Sequence, residues 1–372
     1  MKNFILAPDS FKGTMSADTV SRVWKEAILA HIPDASVREI PLADGGEGMV
    51  DAYLRVIGGD KKTINVTGPM GEKMDAAYGV LPDGTAVIEM AACAGLPLVK
   101  GDKDPLLATT YGVGEMIKDA AVSGVKELIL GLGGSATNDC GIGMAAALGF
   151  EFYNSDGERL EPFAKNMINV DRITAPKSRI DIKVTAACDV DNPLYGPNGA
   201  TYTFGPQKGV TTEMLPKLDE GVKNMARVIE KDLGVDAADV PGAGAAGGLG
   251  GAVIAFLNGK LQPGIDLLLD AAHFDDALED ADVVFVGEGR MDWQSAHGKA
   301  PVGVSRRAKK HGVPVYALCG SLGKHAEAVY EEGICAAFAA DQGATDMDHV
   351  AEVCEADMAF LADSVMRLLI NK

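Results

Sequence analysis

Short apolar runs that stop at polar, glycine-bearing segments recur along this chain. Residues 3–7 form the first run, closed by Pro8 and Asp9. From Ser16 the period changes: Val20, Val23, Trp24, Ala27 and Ile28 fall on one face at helical spacing, with Ser16 as the starting cap. A second strand is predicted over residues 37–42, running into Ala43-Asp44-Gly45-Gly46-Glu47-Gly48 before another helix. Strand, loop and helix in repetition is the grammar of a parallel sheet. Residues 77–81 and 85–90 flank Pro82-Asp83-Gly84 and read as an antiparallel hairpin. Strands follow over 127–131 and 182–187, with a polar stretch near 154–181 and helices over 211–231 and 247–257. Beyond about residue 280 the parallel grammar returns, with strands over 282–287, 314–319 and 334–339 and a long closing helix.

A chain of 372 residues is long for one core. The pattern predicts an α/β protein of two unlike α/β domains. Residues 1–64 and 280–372, from both termini, form a doubly wound Rossmann-like domain, and residues 65–279 form an inserted α/β domain.

Composition changes this picture in three places. The 45 glycines have no collagen-like period and point to tight turns and close ligand approach. The net charge of -19 argues against nucleic acid or an anionic membrane as partner, and makes cations inside glycine-rich loops more informative. The six cysteines are scattered, without a C-x-x-C pair, and several sit in apolar runs, as expected of thiols in a reducing compartment. No basic leader or membrane-length apolar stretch is seen, so a cytoplasmic location is expected.

The chemistry concentrates where predicted strands end. In open α/β sheets the carboxyl ends of strands line the ligand crevice. Five such loops stand out: Asp9-Ser10-Phe11-Lys12-Gly13-Thr14, residues 44–48, Gly133-Gly134-Ser135-Ala136-Thr137-Asn138-Asp139, Asp189-Val190-Asp191-Asn192-Pro193, and Gly287-Glu288-Gly289-Arg290-Met291-Asp292. In the third, Gly133, Gly134, Ser135, Thr137 and Asn138 precede a small-residue helix from Gly141 and suit a phosphate. Lys208, between turn residues, could add a point charge. Mg²⁺ takes one or two carboxylates plus water and phosphate oxygens, for which Asp139 and Asp191 are the candidates. Asp189 is the first candidate for accepting a substrate proton, although a turn-forming role for Asp189 and Asp191 fits equally. Arg290 and Lys12 are candidates for gripping a carboxylate. Asp9, Ser10, Asp44, Glu47, Glu288, Asp292, Ser295 and Lys299 complete the expected substrate-binding set.

One motif points elsewhere. Gly242-Ala243-Gly244-Ala245-Ala246-Gly247 matches the dinucleotide fingerprint G-x-G-x-x-G. The fingerprint needs an apolar strand immediately upstream, and residues 236–241 are acidic and end in proline. A glycine-rich lead into a closely packed helix, possible contact with nucleotide phosphates included, is the better reading.

Together the quoted loops, with Leu42-Ala43 ahead of the second, Leu194 after the fourth, Phe204-Gly205-Pro206-Gln207-Lys208-Gly209, and Trp293-Gln294-Ser295 after the last, resemble the type-1 glycerate kinases of bacteria. The blocks occur in order over residues 4 to about 303. The resemblance implies ATP-dependent phosphorylation of D-glycerate with Mg²⁺, giving 2-phosphoglycerate in glyoxylate- or glucarate-type acid catabolism. It also implies an active site in the cleft between two unlike α/β domains. An NAD-dependent hydroxy-acid dehydrogenase and a non-catalytic small-acid sensor are the rival readings, and a homodimer is one assembly left open.

Overall fold

The computed structural model describes residues 2–11, 13–42, 48–101, 103–297, 300–341 and 350–370. Lys12, Asp44, Glu47 and Lys299, singled out above, lie outside the described residues. The chain divides into two compact units, Met1–Asp44 with Ile265–Lys372, and Gly45–Gly264.

The first unit is built on a five-stranded parallel sheet in the spatial order Ser36–Glu39, Asn3–Pro8, Val283–Gly287, Val315–Cys319, Ile334–Ala339. Counted along this unit, the order is 2-1-3-4-5, the flavodoxin-like variant of the doubly wound arrangement. Its central strands are apolar on both faces, as a sheet covered by helices on both sides requires. Ser16 caps the helix Ala17–His31, its hydroxyl accepting the Thr19 N–H at 3.2 Å. That helix buries Val20, Val23, Trp24 and Ile28 and packs against the closing helix Val350–Ile370. Trp24 meets Phe285 of the central strand edge-on, with ring centroids 6.2 Å apart.

The second unit holds a six-stranded mixed sheet in the order Lys260–Gln262, Lys183–Ala187, Glu127–Gly131, Ala86–Glu89, Lys73–Val80, Asp60–Thr67. The first four run parallel, Lys73–Val80 runs antiparallel to both of its neighbours, and Asp60–Thr67 returns to the direction of the first four. A small three-stranded antiparallel sheet occupies part of the polar stretch, with Glu151–Tyr153 between Arg159–Leu160 and Arg172–Thr174.

The division lies about twenty residues before the first expected boundary and about fifteen before the second. Pairing accounts for the first shift. Asp60–Thr67 pairs with Lys73–Val80 along its whole length, and the helix Met49–Ile57 packs on the same sheet. Strands with alternating exposed and half-buried residues, such as Asp60–Thr67, carry a weak apolar signal. At the other end, the helices Gly264–Ala271 and Phe274–Leu278 belong to the first unit from Ile265 onwards.

Candidate active site

In the second unit, the strands Glu127–Gly131 and Lys183–Ala187 end level with each other, with Gly131 paired to Ala187. The loops that follow therefore leave one edge of the sheet together. The first, residues 132–141, is held from several sides. Its Ala136 N–H donates to Ala94 O at 2.8 Å, and the Leu96 N–H donates to Gly134 O at 2.8 Å. Gly133 is half-buried and Gly134 exposed, whereas residues 135–141 turn inward and are buried.

The buried part is rich in polar atoms, and most have partners. Asp139 is fully buried. Its Oδ2 accepts from the Thr110 N–H at 2.9 Å, the Thr110 hydroxyl at 2.8 Å and the Gly143 N–H at 3.3 Å, and its Oδ1 accepts from the Gly141 N–H at 3.1 Å. Burial pushes its carboxyl above the ordinary range, against the pull of those donors. Four protein donors thus engage the Asp139 carboxylate, an anchoring role that competes with the magnesium role expected of it. Asp139 also occupies the start of the short helix Ile142–Ala147, where the sequence suits a phosphate. The anion there is the protein's own side chain.

Lys208 is the cation of this cluster. It is 2 % exposed, and its Nζ donates to Ser135 Oγ and to Thr137 O, each at 2.7 Å. Burial pushes its ammonium down to about 7, while the nearby Asp139 charge acts the other way. The lysine expected to offer a point charge to a ligand is turned inward here and bonds within the loop. Two further polar atoms are buried without a partner among the described residues, Thr137 Oγ1 and Asn138 Oδ1. The Asn138 amide nitrogen donates to Thr201 Oγ1 at 3.0 Å.

The glycine run beginning at Gly242 packs against this loop. Ala246, Gly247 and Gly248 all adopt left-handed backbone at the head of the helix Ala245–Leu257. The Gly247 carbonyl accepts the Cys140 N–H at 2.9 Å. A Cβ on Gly247 would stand 2.1 Å from Thr137 O and 2.6 Å from Asn138 Cα, so only glycine allows this approach. The preceding residues form no strand, which removes the structural context of a dinucleotide fold.

Asp189 and Asp191 follow the neighbouring strand and are exposed. The Gly264 N–H donates to Asp189 Oδ1 at 2.9 Å. Glu89, Thr110 and Thr201 have roles that the sequence reading does not anticipate. Glu89 ends the strand Ala86–Glu89 and accepts the Val50 and Gly48 N–H groups at 2.6 and 3.2 Å, holding the start of the helix Met49–Ile57. Burial raises its carboxyl. A strand-ending glutamate and a Thr109-Thr110 pair before a helix are the signals that could have found the first two.

In the first unit, Pro8 is paired with Gly287, and the Asp9 N–H donates to Gly287 O at 2.9 Å. Asp9 and Ser10 therefore leave the same sheet edge as residues 288–295, at the point where the strand order reverses. Asp9 and Ser10 are half-buried, Glu288 and Ser295 buried, and Arg290 exposed. Ser295 is a loop former, its hydroxyl accepting the Asp292 N–H at 3.1 Å. Arg290 Nε stands 3.8 Å from Asp292 Oδ2, a loose pairing. Arg290 and Met291 pair with Ser321 and Leu322 in a two-residue parallel ladder that fixes the arginine's backbone.

A profile of the glycerate kinase family matches residues 4–370. This chain belongs to the glycerate kinase family, and it is a kinase. It is 47% identical over 343 residues to a glycerate kinase of Halalkalibacterium halodurans, covering 91% of this chain and 90% of that one. It is 44% identical over 339 residues to the glycerate 2-kinase of Escherichia coli K12, covering 90% and 89%. Its fold matches the crystal structure of a Salmonella typhimurium LT2 protein described provisionally as glycerate kinase 2. The TM-score is 0.88 at 38% identity, over 100% of this chain and 98% of that one. Membership of a kinase family leaves the dehydrogenase and sensor readings without support. No helix among the described residues is long and apolar enough to cross a membrane.

Proposed function

We propose that this protein phosphorylates D-glycerate at the expense of ATP, in the presence of Mg²⁺, to give 2-phosphoglycerate. The observation that carries the reading is similarity along nearly the whole chain to proteins named glycerate kinase and, in Escherichia coli, glycerate 2-kinase. The reading places the enzyme in the cytoplasm, in the breakdown of glyoxylate- or glucarate-type acids.

ATP supplies the phosphoryl group and Mg²⁺ neutralises its charge. The Gly133–Gly134 crest, braced from beneath by Lys208 through Ser135, fits a phosphate chain without a Cβ in its way. Among the described residues no three His, Cys, Asp or Glu side chains are grouped to cage a metal. Magnesium bound to a nucleotide needs only one or two carboxylates, and exposed Asp191 fits that need where buried Asp139 does not. Asp189 is assigned to receive the proton of the attacking hydroxyl as its oxygen bonds to phosphorus and the bridge to ADP breaks. Exposed Arg290, on a backbone fixed by its ladder, is assigned to the substrate carboxylate.

The test is an assay for ADP formation dependent on D-glycerate, with phosphorus NMR of the product. ADP release together with 2-phosphoglycerate supports the reading, 3-phosphoglycerate corrects the hydroxyl, and no glycerate-dependent ADP overturns it.

A further inference from the structure

In the first unit, the loop that carries Arg290 is laced to the loop that follows the strand Val315–Cys319. The Gly320 N–H donates to Glu288 O at 3.2 Å, the Ser321 N–H to Gly289 O at 3.0 Å and the Gly323 N–H to Met291 O at 2.7 Å. Trp293 closes the seam, its N–H donating to Lys324 O at 3.3 Å. Two glycines of the second loop meet the first in different ways. A Cβ on Gly320 would stand 2.5 Å from Gly289 O, so that glycine lets two backbones approach. A Cβ on Gly323 would stand 2.7 Å from Asp292 Cβ, 2.9 Å from Arg290 Nε and 3.3 Å from Arg290 Nη2. Gly323 is not among the glycines with left-handed backbone, so the path of the chain does not demand it. What its missing side chain provides is room for Asp292 and the Arg290 guanidinium.

The guanidinium that rests there has its donors unspent. The Arg290 side chain is 66% exposed, and Asp292 Oδ2, 3.8 Å from Nε, is beyond hydrogen-bond reach. Among the described residues the guanidinium makes no hydrogen bond. Its five N–H groups form a planar fork that matches the two oxygens of a carboxylate. Asp292 beside it is fixed by its own bonds. The Asp292 N–H donates to Ser295 Oγ at 3.1 Å, and Asp292 Oδ1 accepts the Gln294 N–H at 2.9 Å. The acid therefore sets a charge next to the guanidinium without occupying its donors. A long side chain loses rotamer entropy when a ligand fixes it, so a seat that holds it beforehand lowers the cost of binding.

We propose that Gly323 is a positioning residue whose bare backbone seats the Arg290 guanidinium, so that its free donors meet the carboxylate of the substrate. The proposal rests on the glycerate kinase reading, and within it on the assignment of Arg290 to that carboxylate. Gly323 acts only through Arg290.

Steady-state kinetics with D-glycerate and ATP test it, on Gly323→Ala, Arg290→Ala and the double variant. Arg290→Lys is a second probe that leaves Gly323 in place. Gly323→Ala is expected to raise KM for glycerate about fivefold or more, with kcat and KM for ATP within about twofold, because the added methyl group displaces the guanidinium. On the Arg290→Ala background the same substitution is expected to add less than about twofold, because only the Asp292 contact remains to be disturbed. Arg290→Lys keeps the charge but loses the planar fork, and is expected to raise KM for glycerate about fivefold or more. Four results overturn the proposal. One is a Gly323→Ala enzyme with an unchanged KM for glycerate. A second is the same rise on both backgrounds, which means a general disturbance of the loop. A third is a rise in KM for ATP instead, which gives Arg290 to a phosphate. The last is an Arg290→Lys enzyme that matches the wild type, which means that charge alone counts. A wild-type enzyme that makes no ADP from glycerate overturns the functional reading and this proposal with it. An active wild type with an impaired Arg290→Ala variant and an unaffected Gly323→Ala variant sinks this proposal alone.

Discussion

The loop after the strand Glu127–Gly131 and the loop after the strand Val283–Gly287 are written in the same residues, glycines with serine, aspartate and a nearby cation. Their fates differ. In the first, Ser135, Asp139 and Lys208 are buried and bonded to one another or to the backbone. In the second, Arg290 stands in solvent with a loose aspartate neighbour. A charge in the interior must be paired and hydrogen-bonded, which turns a polar loop into a frame. A charge left at the surface keeps its hydration and its freedom to meet a ligand. Polar glycine loops at strand ends therefore mark a site without telling which of their members touch substrate.

The largest effect separating the two loops is expected at Asp139. Asp139→Ala leaves the Thr110, Gly141 and Gly143 donors without their acceptor, and a loss of ~3 kcal/mol or more in denaturant unfolding is expected. A variant of normal stability whose activity no longer responds to Mg²⁺ would restore Asp139 to the metal. Arg290→Ala should behave in the opposite way, with KM for glycerate raised about tenfold or more while the melting temperature stays within about a degree. A clear drop in melting temperature would make Arg290 part of the frame as well.

The smallest and sharpest test uses pH. The folded protein holds Lys208 at about 7, against an ordinary value of 10.5. Above about pH 7 the unfolded chain keeps a proton that the folded chain has lost, so the stability of the wild type rises with pH through this window. Lys208→Met removes that dependence. The stability difference should move in favour of the wild type by up to about 1.4 kcal/mol per pH unit between about pH 7 and 9. A difference that does not change with pH would mean that Lys208 stays charged in the folded state.

Much of the fold is legible in the sequence. Val20, Val23, Trp24 and Ile28 share a helix face because burial follows the 3.6-residue period, and Ser16 caps that helix through its own hydroxyl. The parallel strands that reach Gly131, Gly287 and Cys319 are readable because both of their faces are largely apolar. The edge strands Asp60–Thr67 and Lys260–Gln262 are not, since exposed residues break their pattern. Within the site, Asp139 and Lys208 stand out as charges in glycine-rich loops, but the sequence hides their burial. Thr201 goes unnoticed because a lone threonine in a short helix carries no local signal.

Sequence alone determined the main helices and central strands, the strand-end loops and the family, because period, turn chemistry and motif order are properties of neighbours along the chain. Tertiary structure decided which charges face inward. Thr110 reaches Asp139 across 29 positions, Thr201 reaches Asn138 across 63, and Lys208 reaches Ser135 across 73. Whether a carboxylate anchors or binds, and whether a lysine braces or waits for a ligand, depends on desolvation and on partners that only folding brings within 3 Å.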